Sequence, residues 1–482
     1  MDLVIRFAGT AGEGVLITGE LFARTLSRLG LHVFSHSSYE AEVRGEKPSS
    51  SQVRVSSRSI LSQGDEIDVL VAFGQRDVEL NLRELKRDGY LIYDPRPVDP
   101  FGDISFYQPG LTPPINPIPV PTMEMAYRGL KRPLTRNMVI LGVLSFLLKI
   151  PKDVLKAVVE ERFKGGGRMD VASNLEALEM GYRYGEETLK DTTFPILPSG
   201  DGKERRLFSG NEALSLGAIT GGVDIFSGYP ITPASEIMEF MSKNLPHAGG
   251  VSLQMEDEMA SLGVVLGASF AGKVAFTATS GPGLSLMAEL IGLASMAGIP
   301  AVIVDVQRGG PSTGMPTKTE QSDLLFSIFG SHGEAPRVVI GVSSVEDAFY
   351  TIQDTFEIAW RYRLPVILLM DQFLGQRRET IEGFRIRGTH ESGSCRLRIK
   401  VETVSKEGLT ITGLEHREDG TPDYSPEVHR RNTEERFNVL DEVSHGFNGV
   451  RFYGVTSGDI GIFTWGSSVG VVLEAMHQAS EK

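Results

Sequence analysis

The chain reads as an α/β protein: one α/β domain, then a doubly wound parallel-sheet domain, then the start of a third. Three observations predict this. Short runs rich in Val and Ile alternate with segments whose apolar residues recur at helical spacing. A polar stretch at 191–206, carrying Pro195, Pro198, Gly200 and Gly202, interrupts the alternation once. The last segment, 458–482, has room for only one strand and one helix.

In the first expected domain, residues 1–190, a strand at 3–7 leads into a glycine-rich turn at 9–14. Apolar residues at helical spacing then fill 15–28. Further strands are expected at 53–55, 69–73 and 90–93, and helices at 138–148, 154–163 and 171–184. Residues 191–206 form the linker. From 207 to 376 apolar runs at 274–276, 301–306, 338–340 and 365–370 separate helical segments, the pattern of a parallel sheet covered on both faces. Residues 377–457 are charged, glycine-rich and weakly periodic, and read as a long connection with a small strand near 410–413. The final segment is expected to give a strand at 460–464 and a helix at 469–479. A lone βα unit cannot bury both faces of its strand, so the chain is expected to be either truncated at its carboxyl end or unusually short.

Composition narrows the function classes. The 482 residues carry a net charge of −14, which disfavours non-specific binding to nucleic acid or anionic membranes. No apolar run reaches the roughly 18–20 residues of a membrane helix, and the start lacks the basic leader of a signal peptide, so a cytoplasmic location is expected. Cys395 is the single cysteine, and nine histidines lie without metal spacing. The chain therefore offers no disulfide framework, iron–sulfur ligand set or zinc site of its own.

Two stretches carry most of the chemical information. Gly228-Tyr229-Pro230-Ile231-Thr232-Pro233-Ala234-Ser235-Glu236 sets a stiff turn between an apolar run (223–226) and a helical segment (236–241). That is the carboxyl end of a strand, where open α/β sheets bind ligands. Thr232 lies there beside a helix N-terminus, which favours a carboxylate or phosphate. Gln254-Met255-Glu256-Asp257-Glu258 ends a strand and opens a helix with three acids. The helix dipole accounts for two of them, and the third asks for another reason. Thr279-Ser280-Gly281-Pro282-Gly283 lacks the lysine of a phosphate cradle and reads as a tight turn. Arg308 follows the run 301–306 at the same sheet end. Gly200-Asp201-Gly202 follows no buried strand, and Gly9, Gly12 and Gly14 do not have dinucleotide-binding spacing.

These stretches, in this order, resemble the 2-oxoacid:ferredoxin oxidoreductases, which are thiamine-diphosphate enzymes. The resemblance extends to Arg308-Gly309-Gly310-Pro311-Ser312-Thr313-Gly314-Met315-Pro316-Thr317, to Glu320-Gln321-Ser322-Asp323-Leu324, to Gly413-Leu414-Glu415-His416, and to Gly458-Asp459 with Trp465-Gly466-Ser467. Ser38-Tyr39-Glu40-Ala41-Glu42-Val43-Arg44-Gly45 is similar to a segment of the family's γ subunit. The match spans nearly the whole chain in the order of a fused γ–α subunit. It makes 1–190 a γ-type catalytic domain, 207–376 a pyrimidine-binding domain and 458–482 the start of a transketolase C-terminal-like domain.

The resemblance implies oxidative decarboxylation of a 2-oxoacid, 2-oxoglutarate favoured, to acyl-CoA and CO₂ with electrons passed to ferredoxin. It implies that Glu258 contacts the aminopyrimidine of thiamine diphosphate, with Pro230, Gly281 and Pro282 also against the cofactor. Thr232 and Arg308 would hold the substrate carboxylate, Tyr229 would also contact substrate, and Thr317 would reach its distal part. Arg44 would be an interface or coenzyme-A-side residue. The diphosphate-binding motif, Mg²⁺ and a [4Fe-4S] cluster are expected on a partner β subunit, making a hetero-oligomer. Two alternatives stay open: a non-catalytic assembly subunit and a non-oxidative thiamine-diphosphate decarboxylase component.

Overall fold

The computed structural model describes residues 2–40, 47–95, 114–129, 135–164, 170–385, 412–447 and 449–480. Arg44, Cys395 and the positions 410–411 lie outside them. The chain divides into two compact units: Met1–Phe208 with Arg377–Gly383, and Ser209–Gln376 with Phe384–Lys482.

The first unit is built on a mixed sheet. Its strands are β1 (Asp2–Thr10), β2 (His32–Ser38), β3 (Pro48–Ser56), β4 (Ile67–Ala72), β5 (Leu85–Tyr93), β6 (Asn116–Pro119) and β7 (Arg206–Ser209). A late segment, β14 (Arg378–Ile381), completes the order β6-β5-β4-β1-β3-β2-β14-β7. Strands β1, β4, β5 and β6 run parallel, while β3 pairs antiparallel with β1 and β2. The helices are α1 (Val15–Arg28), α2 (Gln75–Asn81), α3 (Thr122–Glu124), α4 (Arg136–Leu147), α5 (Lys152–Phe163) and α6 (Val171–Thr188). Helix α4 is apolar nearly all round and correspondingly buried.

Helices α4 and α6 approach closely because each presents a glycine to the other's backbone. A methyl group at Gly181 would overlap the carbonyl oxygen of Val139, with the Val139 carbonyl carbon only 2.8 Å away. Backbone cannot yield as a side chain can. Gly181→Ala is therefore expected to cost about 2–3 kcal/mol, read as a lower urea midpoint of the first unit.

The expected linker is not a free tether. Phe194 packs on Tyr90 at 4.9 Å between ring centroids. The Arg205 guanidinium pairs with Asp201 at 2.7 Å and Glu382 at 2.8 Å and donates to Gly30 O. Asp201 is thus committed to Arg205.

The second unit has a six-stranded, all-parallel sheet in the order β12-β13-β11-β10-β8-β9. Its strands are β8 (Ile225–Gly228), β9 (Val251–Gln254), β10 (Ala275–Thr279), β11 (Ala301–Gln307), β12 (Val338–Gly341) and β13 (Pro365–Asp371). Its helices are α7 (Gly210–Thr220), α8 (Ser235–Asn244), α9 (Glu258–Phe270), α10 (Gly281–Leu286), α11 (Ala288–Ala297), α12 (Leu324–Phe329), α13 (Val345–Tyr362), α14 (Gln372–Gln376), α15 (Pro426–Gly446) and α16 (Ser468–Ser480). A capping box opens α7: Ser209 Oγ accepts from Glu212 N, and the Glu212 carboxylate accepts from Ser209 N. One sheet face packs Phe226, Phe276, Val304 and Leu368 with Ile352 and Phe356 of α13. The other packs Ala275, Ile303 and Ile367 with Leu262 and Val265 of α9 and Ile291 of α11. Both faces are covered, as the alternation predicted.

The tail departs from the sequence reading in two places. The stretch read as weakly periodic contains the 21-residue α15. Glu415 anchors it, accepting from Asn432 at 2.8 Å and from Arg436 at 3.3 Å, with His429 Nδ1 2.7 Å away. Burial opposes charge on Glu415, but these hydrogen bonds win and hold its carboxyl down at about 2. The strand expected at 460–464 is absent: among the described residues no strand pairs with it, and Phe463 is 88% exposed. Thr412 and Gly413 also carry no strand.

Candidate active site

Because β8, β10, β11 and β13 are parallel, their carboxyl ends lie along one edge of the second unit's sheet. The expected site residues follow those ends directly. Tyr229 and Pro230 follow β8 and are exposed, and Thr232 in the same turn is half-buried. Gly281 and Pro282 follow β10, and Arg308 follows β11. Thr317 is half-buried in the turn after Arg308.

Residues 256–258 separate into three roles. Glu256 is exposed. Asp257 is the N-cap of α9, its carboxylate accepting from Ala260 N at 2.6 Å. Glu258, the first helical residue, is 6% exposed. Among the described residues no hydrogen bond reaches its carboxylate. The side chain lies against Gly283: a methyl group there would sit 2.6 Å from Glu258 Cγ and 2.7 Å from Oε1, and would overlap Thr279 Oγ1. Glycine at 283 is therefore the condition for this acid's placement. The Ser280–Gly283 stretch, expected as a tight turn, is the N-cap and first turn of α10.

Arg308 is 7% exposed and joins two turns. Nη1 donates to Thr232 O at 2.7 Å and Nη2 donates to Thr313 O at 2.9 Å. Among the described residues no acceptor reaches its buried Nε. Burial pulls the guanidinium below its usual range, and nearby Asp323 opposes this. The Thr232 turn is held from the other side by Asn211 Nδ2, which donates to Pro233 O at 3.2 Å and to Glu236 at 3.0 Å.

Sequence reasoning missed the polar layer beneath these turns. Thr277 and Thr279 of β10 share a face with Asp305 and Gln307 of β11, Thr279 standing beside Asp305 in register. The buried oxygens of Ser227, Thr277, Ser280 and Asp305, and Gln307 Nε2, have no hydrogen-bond partner among the described residues. The signal was present in β11, Ala-Val-Ile-Val-Asp-Val-Gln, which places an acid inside an otherwise apolar central strand.

A buried acid free of protein donors, glycines that clear space around it and orphaned polar atoms at the carboxyl edge of a parallel sheet suit a polar, heteroatom-rich ligand. The family described as pyruvate flavodoxin/ferredoxin oxidoreductase, thiamine diphosphate-binding, matches residues 216–435. That described as pyruvate ferredoxin/flavodoxin oxidoreductase matches 4–184. A solved structure of 2-oxoglutarate:ferredoxin oxidoreductase from Magnetococcus marinus is similar over 100% of this chain and 86% of its own, at 38% identity and a TM-score of 0.88.

The chain belongs to the 2-oxoacid:ferredoxin oxidoreductases.

Two named relatives in this family are 2-oxoglutarate oxidoreductase subunit KorA of Mycobacterium tuberculosis and 2-oxoglutarate synthase subunit KorA of Archaeoglobus fulgidus. The first is 36% identical over 77% of this chain, the second 47% over 45%. This chain spans 60% and 62% of their lengths. In this oxidoreductase chain the second unit holds the thiamine-diphosphate-binding match. Among the described residues no helix is long and apolar enough to cross a membrane.

Proposed function

We propose that this chain is the γ–α-type subunit of a 2-oxoacid:ferredoxin oxidoreductase acting on 2-oxoglutarate. The net reaction converts the 2-oxoacid, coenzyme A and two oxidised ferredoxins to acyl-CoA, CO₂, a proton and two reduced ferredoxins. The observation that carries this is the burial of Glu258 at the sheet's carboxyl edge with its carboxylate free of protein donors. The structure from Magnetococcus marinus, described with 2-oxoglutarate, coenzyme A and succinyl-CoA bound, supports the substrate class.

Bound here, thiamine diphosphate would supply a nucleophilic carbon for the keto group and a sink for the electron pair left when CO₂ departs. Glu258 fits the protein's side of that chemistry. It is buried and rigidly placed at a helix start, and its free carboxylate can exchange a proton with a ring nitrogen. Pro230, Gly281 and Pro282 present small, stiff surfaces on the same edge. Thr232 and Arg308 would receive the substrate carboxylate, with Tyr229 and Thr317 toward its other end. Arg308 keeps N–H groups beyond the two it spends on backbone carbonyls, so it can take up an anion without abandoning them.

With one cysteine in 482 residues, this chain cannot ligate a cluster alone. The proposal therefore includes a partner β subunit bearing the diphosphate-binding motif, Mg²⁺ and a [4Fe-4S] cluster, a hetero-oligomer, ferredoxin as acceptor and a cytoplasmic location. The test is co-purification with that subunit and assay of ferredoxin reduction. Reduction that requires both 2-oxoglutarate and coenzyme A is the expected result. CO₂ release without electron transfer would favour the non-oxidative alternative, and a complex inert toward every 2-oxoacid would favour an assembly role.

A further inference from the structure

We propose that Gln321 is a positioning residue for the distal end of the oxoacid. It is gripped between Asp371 and the Trp465-Gly466-Ser467 turn, and that grip holds in place the loop carrying Thr317. The role toward substrate rests on the reading of Thr317 as the residue that reaches the oxoacid's far end.

Asp371 ends β13 and is fully buried. A buried carboxylate needs donors, and this one receives them from three separate stretches of chain. Leu374 N in α14 donates to Oδ1 at 2.9 Å. Gln321 Nε2 at 3.0 Å and Ser467 N at 2.8 Å both donate to Oδ2. Gln321 Nε2 also donates to Trp465 O at 3.2 Å, so both N–H bonds of its amide are spent at this one junction.

Gly466 lies between these bonds. Its φ is +66°, a conformation that favours glycine. A methyl group there would overlap Gln321 Nε2 and stand 2.8 Å from Asp371 Oδ2. The turn has its own anchor on the sheet. The Trp465 ring lies on Gly341 at the end of β12, where a methyl group would stand 3.1 Å from Cε3, and it packs against the core that contains Ile367 and Leu369. The stretches 320–324 and 465–467, which carry a family resemblance but no task in the chemistry above, thus meet in one place.

Gln321 stands on the outgoing limb of the loop that begins at Arg308 and contains Thr317. Inside that loop Gly309 N donates to Lys318 O at 2.9 Å, Met315 N to Gly309 O at 2.8 Å, and Lys318 N to Met315 O at 3.0 Å. Residues 309–318 are therefore knitted into one piece. Arg308 ties it at the incoming side by donating to Thr313 O. At the outgoing side Phe373 N donates to Thr319 Oγ1 at 3.3 Å, a long bond, so the two bonds of the Gln321 amide are the firmer tie. Asp323 N donates to Gln307 Oε1 at 3.1 Å, which fixes the head of α12 beyond the loop. Releasing Gln321 should let the outgoing limb, and Thr317 with it, drift from the place set by β11 and β13.

The test uses the purified complex with its partner subunit. Gln321→Met keeps the length of the side chain and removes both donors. Gly466→Ala disturbs the same junction from the turn. Each is expected to raise KM for 2-oxoglutarate by roughly tenfold while kcat stays within about threefold of wild type. 2-Oxobutyrate has no second carboxylate, and as substrate or competitive inhibitor it should bind within about twofold of wild type. The double variant should be no worse than the more severe single one, because both break one junction, whereas unrelated structural damage would add. Hydrogen–deuterium exchange reads the loop without catalysis. The peptide holding Gly309, Met315 and Lys318 should exchange about tenfold faster in both variants, with β10 and β11 unchanged.

Unchanged loop exchange in Gln321→Met would overturn the grip. Faster exchange with an unchanged KM for 2-oxoglutarate, or with an equal loss toward 2-oxobutyrate, would overturn the role at the distal end. If Gly466→Ala does not fold, Gln321→Met decides alone, since its site is only half-buried. A wild-type complex inert toward every 2-oxoacid would remove the functional reading and the role toward substrate with it, while exchange still decides the grip.

Discussion

Glu258→Gln is expected to lower turnover of the assembled oxidoreductase by roughly a hundredfold or more, while Tm shifts by less than about 2 °C. The amide is nearly isosteric, so the packing against Gly283 survives. Among the described residues no hydrogen bond is made to the carboxylate, so none is lost in the substitution. What the amide cannot do is gain and give up a proton. Stability and activity should therefore separate cleanly, and thermal unfolding alongside ferredoxin reduction measures both. A variant that loses both together would mean that Glu258 is a packing residue; one that loses neither would remove it from the chemistry.

Arg308→Ala should act on two quantities at once. The side chain donates to Thr232 O and Thr313 O, and hydrogen bonds from a charged donor contribute roughly 1.5–3 kcal/mol. The expected loss of unfolding free energy is about 2–3 kcal/mol, accompanied by a KM for the oxoacid raised by more than about tenfold. The purely substrate-holding role read from sequence anticipated only the second effect. Arg308→Lys should not restore either, because a single ammonium cannot reach both carbonyls in the geometry of a planar fork. Steady-state kinetics with the oxoacid varied, together with urea denaturation, checks this. A KM within twofold of wild type would exclude Arg308 from substrate binding while leaving its bracing role intact.

Legibility in the sequence followed the strength of local patterning. Helix α1 occupies the range its apolar spacing marks, and the second unit's strands fall within a few residues of the Val and Ile runs. Each of these segments faces a core within its own unit, so burial and sequence pattern coincide. Strand β2 was missed because His32-Val-Phe-Ser-His-Ser-Ser mixes polar residues into the strand and leaves no apolar run to mark it. Helix α15 was missed because only Val428 and Val443 are buried along its 21 residues; side-chain hydrogen bonds to Glu415 anchor its first part instead. The run at 460–464 has strand-like residues but, among the described residues, no strand pairs with it, and propensity alone does not form a strand.

The site divides similarly. Residues inside dense local stretches, such as Thr232, Glu258 and Arg308, could be singled out, and each lies at or just beyond the carboxyl end of a strand. The polar layer of Thr277, Thr279, Asp305 and Gln307 could not, because it depends on how β10 and β11 pair in register. Arg308's bonds to backbone were equally hidden, since carbonyl direction is not written in residue type.

The path of β14 has a consequence for biosynthesis. This strand lies between β2 and β7 in the first unit's sheet, yet it is encoded after the 168 residues of Ser209–Gln376. A ribosome will have delivered the whole of the second unit's sheet before the first unit can close its own. During that interval the rim of β2 is open, and β7 has no neighbour to pair with. Nascent chains stalled before codon 381 should therefore expose protease-sensitive first-unit sequence even though its amino-terminal residues emerged long before.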